Sequence, residues 1–406
     1  MKVAVIGGGP GGMMAAWRAA ACGADVTLFE RNEKLGKKMY ISGKGRCNLT
    51  NDCSVREFLD NVATNSKFVT NAVYKFSPEA TLELCDEHGL RLKVERGNRV
   101  FPASDKSSDV ISFFAKLLRE KGVNIALNTQ INSIVYQKNG FSLNTITDVV
   151  LFDKVIIATG GVSYPLTGST GDGYKFAKSL GHTVIAPKAA LCRILCKGTK
   201  SLEGLSLKNV DVSVVSSGGK TLACEFGEML FTDDGVSGPC VLTLSSRINK
   251  FDLKGAKLVV DLKPALDETK LNERVLRDFS ERMNKTFANS LDALLPQRLC
   301  EEVVRQSGIP ATKKVNQITA TERAGLVATL KGLTFPVVGL DSVERGIVTS
   351  GGVDVKQINP STMESKIVRG LYFAGEVLDV DAYTGGFNIQ IALSTGYVAG
   401  ENAAKD

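Results

Sequence analysis

Met1-Lys-Val-Ala-Val-Ile-Gly-Gly-Gly-Pro-Gly-Gly12 opens the chain, and its reading decides the fold. Residues 1–6 read as a short buried strand. Gly7, Gly9 and Gly12 supply G-x-G-x-x-G at once. A small-residue helix over 13–22 follows, closed by Gly23, and Asp25-Val-Thr-Leu-Phe-Glu30 reads as a second strand ending on a carboxylate. Each part has a physical task. Gly7 permits the tight turn, Gly9 lets a pyrophosphate approach the backbone, and Gly12 lets helix and strand pack closely. The free N–H groups and dipole at the helix start favour an anion. Glu30 can accept hydrogen bonds from a ribose 2′-OH and would repel a 2′-phosphate. Strand, glycines, helix, strand and acid in this order predict a dinucleotide site rather than a bare glycine turn. Glycine and proline break the apolar run, which argues against a secretory signal.

Working outward, 406 residues suffice for two or three domains. Hydrophobic residues make up 43% and charged residues 23%, an ordinary globular balance. No run of eighteen apolar residues is present, so no membrane span is expected. Nine scattered cysteines suggest reduced thiols and a cytoplasmic location. With two histidines and no C-x-x-C, no metal site is predicted. Walker A, G-x-S-x-G and H-E-x-x-H motifs are absent, which removes the commonest NTPase, hydrolase and zinc-protease readings. The net charge of +7 permits anionic ligands or nucleic acid without demanding either.

After Glu30 and Arg31, the stretch Ile41 to Asn51 is glycine-rich and reads as too irregular for a helix. Here Arg46 can pair with phosphate and Asn48 can bond a ring edge. Residues 55–90 read as helical, 91–99 as a strand or hairpin, and Val110 to Lys121 as a helix capped by Ser108 or Asp109. Lys154 to Gly161 adds a buried strand running into glycine. Residues 189–263 read as short strands of a barrel or sandwich, and 266–330 as mostly helical. Gly370 to Glu376 resumes the first sheet. A loop then leads through Gly385-Gly386 into a small-residue helix from Ile389 to Gly400.

The far end of the site separates flavin from nicotinamide. Two later strands end in glycine, and a helix N-terminus near Asn388 to Gln390 would stabilise the charge of a reduced flavin. Asp379 can bond the ribityl chain. No second dinucleotide motif is evident.

Ile6 to Gly12, Ser42-Gly-Lys-Gly-Arg-Cys-Asn48, Arg99-Val-Phe-Pro102, Ala158-Thr-Gly-Gly161 and Phe373-Ala-Gly-Glu-Val-Leu-Asp379 with Gly385-Gly-Phe-Asn-Ile-Gln390 together resemble one bacterial flavoprotein family. It is the NAD(P)/FAD-dependent oxidoreductase family of the aminoacetone oxidase, bile-acid C=C reductase and rRNA dihydrouridine synthase type. The resemblance covers nearly the whole chain. It implies an α/β fold: a Rossmann-like FAD-binding domain split in sequence (1–188 and 346–406), an inserted β-barrel (189–265 and 327–345) and a small helical domain (266–326).

The cofactor contacts expected are Gly7, Gly9, Gly11, Gly12, Glu30, Arg31, Lys38, Gly45, Arg46, Cys47, Asn48, Thr159, Gly160, Gly375, Glu376, Asp379, Gly386, Asn388 and Ile389. The expected reaction is NAD(P)H-driven hydride transfer from flavin N5 to a conjugated C=C of a small, 3-oxo-ene bile-acid or steroid-like molecule. Cys47 and Tyr383 are the candidate proton donors. Two alternatives stand beside it. One is an oxidase of a small amino ketone, which the missing second dinucleotide motif favours. The other is a dihydrouridine synthase acting on ribosomal RNA, which the net charge and the Lys/Arg-bearing insertion permit.

Overall fold

The computed structural model describes residues 1–138 and 140–405. The chain forms two compact units, Met1–Ala190 with Ser342–Asp406, and Leu191–Asp341.

In the first unit, five parallel strands lie in the order Leu371–Phe373, Lys154–Ile157, Lys2–Ile6, Asp25–Phe29, Asn124–Ala126. Val3, Ala4, Val5, Val155, Ile156 and Ile157 are fully buried, as a parallel sheet covered on both faces requires. Two glycine-bearing helices, Pro10–Ala21 and Phe387–Ala403, pack on one another beside this sheet. A Cβ on Gly396 would lie 2.3 Å from the Gly11 carbonyl oxygen, and one on Gly400 would lie 2.3 Å from that of Ala15. The small residues of the last helix are therefore the condition for its close approach to the first.

Smaller sheets surround this core. Thr50–Asn51, Arg99–Pro102 and Leu92–Glu95 form one. Ser133–Gln137, Gly140–Asn144 and Val149–Phe152 form an antiparallel meander. Val184–Ala190 pairs with Val348–Val353.

The second unit is a closed six-stranded barrel in the order Ile194–Cys196, Gly235–Ser237, Thr221–Thr232, Ser206–Val215, Lys257–Asp261, Leu333–Leu340. Its helices Glu268–Ser280, Gln297–Ser307 and Ala320–Lys331 bury Leu271, Leu299, Leu326 and Leu330 in one apolar core with the barrel strands. Thr319 and Glu322 close a capping box at the start of the last of these.

Local structure departs from the sequence reading at several places. The helix expected from Val110 begins at Ser107, after Lys106 and without a side-chain cap; Ser108 and Asp109 lie inside its first turn. By contrast, the helix Lys37–Gly45 is broken by non-helical backbone at Ser42, Gly43 and Lys44, and Gly45 and Cys47 take positive φ, so the stretch Ile41 to Asn51 is irregular as expected. A helix, Pro239–Ile248, interrupts the stretch read as strands. Its Val-Leu-Thr-Leu run suits a strand, but Pro239 at the first helical position and burial of Val241, Leu244 and Ile248 decide for helix.

One buried histidine predicts a pH dependence of stability. His182 is 4% exposed, its Nε2 is 2.7 Å from Ser365 Oγ, and its ring meets Phe373 edge-on. Burial lowers its pKa from the ordinary 6.5. The unfolded chain therefore takes up a proton first as pH falls. Its stabilising contribution is complete above about 6.5 and is lost as pH drops toward the lower folded value. Urea midpoints should fall between about pH 7 and 5 in the natural chain and fall less in His182→Gln. Equal falls in both proteins would remove His182 as the source.

Candidate flavin site

The site is built on strand ends of the first unit. Gly7 takes φ +107°, and a Cβ there would lie 2.5 Å from the Ala158 carbonyl oxygen. A Cβ on Gly12 would lie 1.8 Å from the Gly7 oxygen, so helix and turn touch backbone to backbone. Gly9 differs: nothing lies within 4 Å of its Cβ position. It faces open space at the N-terminus of a twelve-residue helix with Pro10 first. That leaves unpartnered N–H groups pointing where an anion fits.

Glu30 is 8% exposed. Its Oε2 accepts from Gly8 N at 2.7 Å, and its Oε1 from Asn32 N at 2.8 Å and Asn32 Nδ2 at 2.7 Å. These bonds hold the carboxylate against the glycine turn. Arg31 turns to Asp172 at 2.9 Å and to Thr170 and Gln130.

The strand Lys154–Ile157 leads into Thr159 and Gly160, the latter at φ +74°. The strand Leu371–Phe373 leads into Gly375, φ +77°, whose Cα lies 3.5 Å from the Cβ position of Gly11. Both ends of the chain thus meet at the glycine turn. Lys38 and Glu376, 338 residues apart, pair with each other: Nζ donates to the two carboxylate oxygens at 2.9 and 2.7 Å. Glu376 Oε1 also accepts from Ser163 Oγ at 3.0 Å and Thr349 N at 2.9 Å. The carboxylate of Asp379 accepts from Asn65 Nδ2 at 3.0 Å.

The loop before the last helix is braced by two amides. Asn388 Oδ1 accepts from Ala382 N at 2.9 Å, and its Nδ2 donates to Ala382 O at 2.7 Å. Asn48, oriented by its hydrogen-bond network, donates to Thr50 O at 3.2 Å and Val100 O at 3.3 Å and accepts from Gly386 N at 3.1 Å. Its side chain therefore serves backbone here, where a ring edge was expected. Gly386 sits at φ +98°, and a Cβ there would lie 2.3 Å from Thr50 O. The seventeen-residue helix Phe387–Ala403 starts directly after it, with half-buried Ile389 in its first turn.

The remaining expected residues have other partners or none that reach a ligand directly. Arg46 bonds Glu95 at 2.8 Å and Asp105 at 3.2 Å and covers the Phe101 ring at 4.2 Å, so two carboxylates already balance it. Gly45 is exposed beside it. Cys47 has no exposure, and burial pushes its thiol up to about 12. A thiol so placed holds its proton and has no solvent path. Tyr383 is half-exposed on the loop, its N–H donating to Asn61 O at 3.0 Å.

Sequence reasoning missed the strand Val348–Val353. Thr349 is fully buried and its Oγ1 accepts from Val162 N at 3.0 Å and Ser163 N at 3.2 Å; Ser350 Oγ donates to Asp381 at 2.9 Å. Thr349-Ser-Gly-Gly352 repeats the strand-into-glycine pattern of 154–161, the one signal available. Tyr174 was also missed. It is 6% exposed, yet its hydroxyl has no partner, and neither has the buried Oγ1 of Thr159. Open space at Gly9, a held acid at Glu30 and orphaned hydroxyls near the strand ends fit a bound FAD.

Residues 1–402 match the family described as HI0933-like protein Rossmann domain. The chain belongs to this family. Over 408 residues it is 29% identical to a Clostridium scindens protein named 3-dehydro-bile acid delta(4,6)-reductase, covering 100% of this chain and 99% of the relative. It is 30% identical over 404 residues to the Escherichia coli K12 ribosomal RNA dihydrouridine synthase, covering 98% and 96%. Among solved structures, 3-ketosteroid-delta4-(5alpha)-dehydrogenase from Rhodococcus jostii aligns with a TM-score of 0.53 and 17% identity, covering 100% of this chain and 96% of that one; this likeness is one of fold. The family member described here is a flavin-dependent oxidoreductase with FAD as its cofactor. No helix among the described residues is long and apolar enough to cross a membrane.

Proposed function

We propose that this flavoenzyme saturates a C=C bond conjugated to a carbonyl, with NAD(P)H as the electron donor. One observation carries the reading. Two relatives matching the full length bear names for that chemistry, delta(4,6) reduction of a 3-dehydro bile acid and formation of dihydrouridine. Bound FAD would supply the hydride chemistry. Gly9 and the start of the helix Pro10–Ala21 would hold the pyrophosphate, and Glu30 the adenosine ribose. The N-terminus of Phe387–Ala403, set by Gly386, would face developing negative charge on the ring. Lys38 and Glu376 would fix the strand end that carries the ribityl chain.

Of the two candidate acids, exposure favours Tyr383 over Cys47 as the group delivering a proton to the carbon beside the hydride acceptor. Tyr383→Phe should lower turnover about a hundredfold, the scale of one general acid, while FAD stays bound. Cys47→Ser should leave the rate within about threefold. A reversed order of effects would move the proton to Cys47.

The test of function is anaerobic. NADH or NADPH should bleach the flavin, and a steroid-like enone should restore its colour with one enone reduced per flavin. Because the family fold shows one dinucleotide motif, the competing oxidase reading is checked in the same cuvette. Bleaching by an amino ketone instead of NAD(P)H, with colour restored only on admitting O₂ and one H₂O₂ formed per amino ketone oxidised, would replace the reductase reading.

A further inference from the structure

Tyr372 and Tyr174 are both buried in the first unit, and they differ in one respect. Tyr372 is 2% exposed, and its hydroxyl donates to Asn402 O at 3.2 Å. Tyr174 is 6% exposed, and its hydroxyl has no hydrogen-bond partner among the described residues. A buried phenol normally finds a partner, because leaving the bond unmade away from water is costly. The cost is removed when a ligand supplies the acceptor.

The surroundings of Tyr174 indicate which ligand. It lies in the helix Asp172–Ser179, whose first turn is pinned on two sides. On one side, Asp172 accepts from Arg31 Nη1 at 2.9 Å, one residue beyond Glu30. On the other, Gly173 fits between residues that follow two neighbouring strands of the parallel sheet. A Cβ there would lie 2.1 Å from Thr159 Oγ1 and 2.9 Å from Val377 Cγ2, so any side chain at 173 would collide with both. Thr159 Cα is in turn 3.0 Å from the Cβ position of Gly7, which brings this contact to the glycine turn. The Thr159 hydroxyl is buried and, like that of Tyr174, has no partner among the described residues. Two orphaned hydroxyls thus belong to the two sides of one contact. Tyr174 is also within electrostatic reach of Glu376 and Asp379: burial first, and then these carboxylates, hold its pKa far above the ordinary phenol value. The hydroxyl therefore keeps its proton and acts as a donor, and Glu376 already accepts from Lys38, Ser163 and Thr349.

We propose that Tyr174 is a cofactor-binding residue whose hydroxyl donates to bound FAD, on the stretch of diphosphate and ribityl oxygens between its Glu30 and Asp379 ends. The inference rests on FAD lying along the strand ends, and it adds a side chain that no glycine motif announces. Tyr174 is then made for the loaded protein: its hydroxyl weakens the apo chain and strengthens the hold on FAD.

The signature is a pair of effects with opposite signs. The full-length protein is stripped of flavin, its apo form is unfolded in urea, and FAD is titrated back by the change in flavin fluorescence. Tyr174→Phe should raise the apo urea midpoint, because the orphaned hydroxyl is gone, and should weaken FAD binding about tenfold, the effect of one lost buried hydrogen bond. Tyr372→Phe is the contrast. It removes a hydroxyl that the chain itself satisfies, so it should lower the apo midpoint and leave FAD affinity within about twofold. A hydroxyl that serves only the packing of the chain would make Tyr174→Phe behave as Tyr372→Phe does. A lower apo midpoint in Tyr174→Phe, or FAD affinity within about twofold of the natural chain, overturns the assignment. The failure of the reading beneath it looks different. A natural chain that takes up no FAD removes the cofactor and the assignment together, whereas FAD binding untouched by Tyr174→Phe removes the assignment alone.

Discussion

Gly9→Ala should fold as well as the natural chain and retain no FAD. Gly9 lies at φ −78° and ψ −177°, a conformation alanine adopts freely. Its Cβ would meet nothing within 4 Å, so the protein itself has room for the methyl group. Loss of unfolded-state entropy would even favour the folded chain by about 0.4–1 kcal/mol. The methyl would, however, stand where a pyrophosphate must approach the helix N-terminus. Flavin absorbance retained after desalting and the thermal midpoint report the two effects separately. Gly12→Ala is the contrast. Its Cβ would lie 1.8 Å from Gly7 O, so it should lower soluble yield and melting temperature as well as FAD content. Full FAD retention by Gly9→Ala would show that the cofactor lies elsewhere.

Gln390→Leu should cost about 3–5 kcal/mol of stability, because several buried groups lose a partner together. Gln390 has no exposure and is bonded at every polar position. Its Oε1 accepts from Thr50 Oγ1 at 2.7 Å and Thr81 Oγ1 at 2.8 Å. Its Nε2 donates to Phe76 O and Ser394 Oγ, both at 3.1 Å. Phe76 O keeps the Ser394 hydroxyl at 2.6 Å, but the two threonine hydroxyls lose this acceptor. Thr50 also carries the carbonyl packed against Gly386 and bonded by Asn48. The variant should therefore weaken FAD binding along with the fold. Urea unfolding with and without added FAD measures both, and a loss below about 1 kcal/mol would mean that the site relaxes around leucine.

The parts legible from sequence are those whose function requires a particular backbone. Gly7, Gly9 and Gly12 are readable because a turn, an anion approach and a helix contact each exclude a side chain. The strands Lys154–Ile157 and Leu371–Phe373 are readable because buried runs break abruptly into glycine. The small residues of Phe387–Ala403 announce close packing, although their partner, the helix Pro10–Ala21, emerges only in three dimensions. The pairing of Lys38 with Glu376 is invisible at a separation of 338 residues. So is the buried hydrogen-bonding of Thr349. The meander strand Val149–Phe152 escapes for a different reason: Val149 and Leu151 are 65% and 61% exposed, so it lacks the alternation that marks a half-buried strand. Arg46 and Asn48 sit in the predicted motif, but tertiary neighbours engage their side chains. Spacing alone does not reveal such neighbours.

The central claim is that FAD lies between the glycine turn at residues 7–12 and the helix beginning at Phe387. The most direct measurement is the visible spectrum of purified protein incubated with FAD and desalted, for the natural chain and Gly9→Ala side by side. The account predicts one flavin per chain in the first and a colourless but folded protein in the second. Two colourless proteins, or two equally yellow ones, would contradict it.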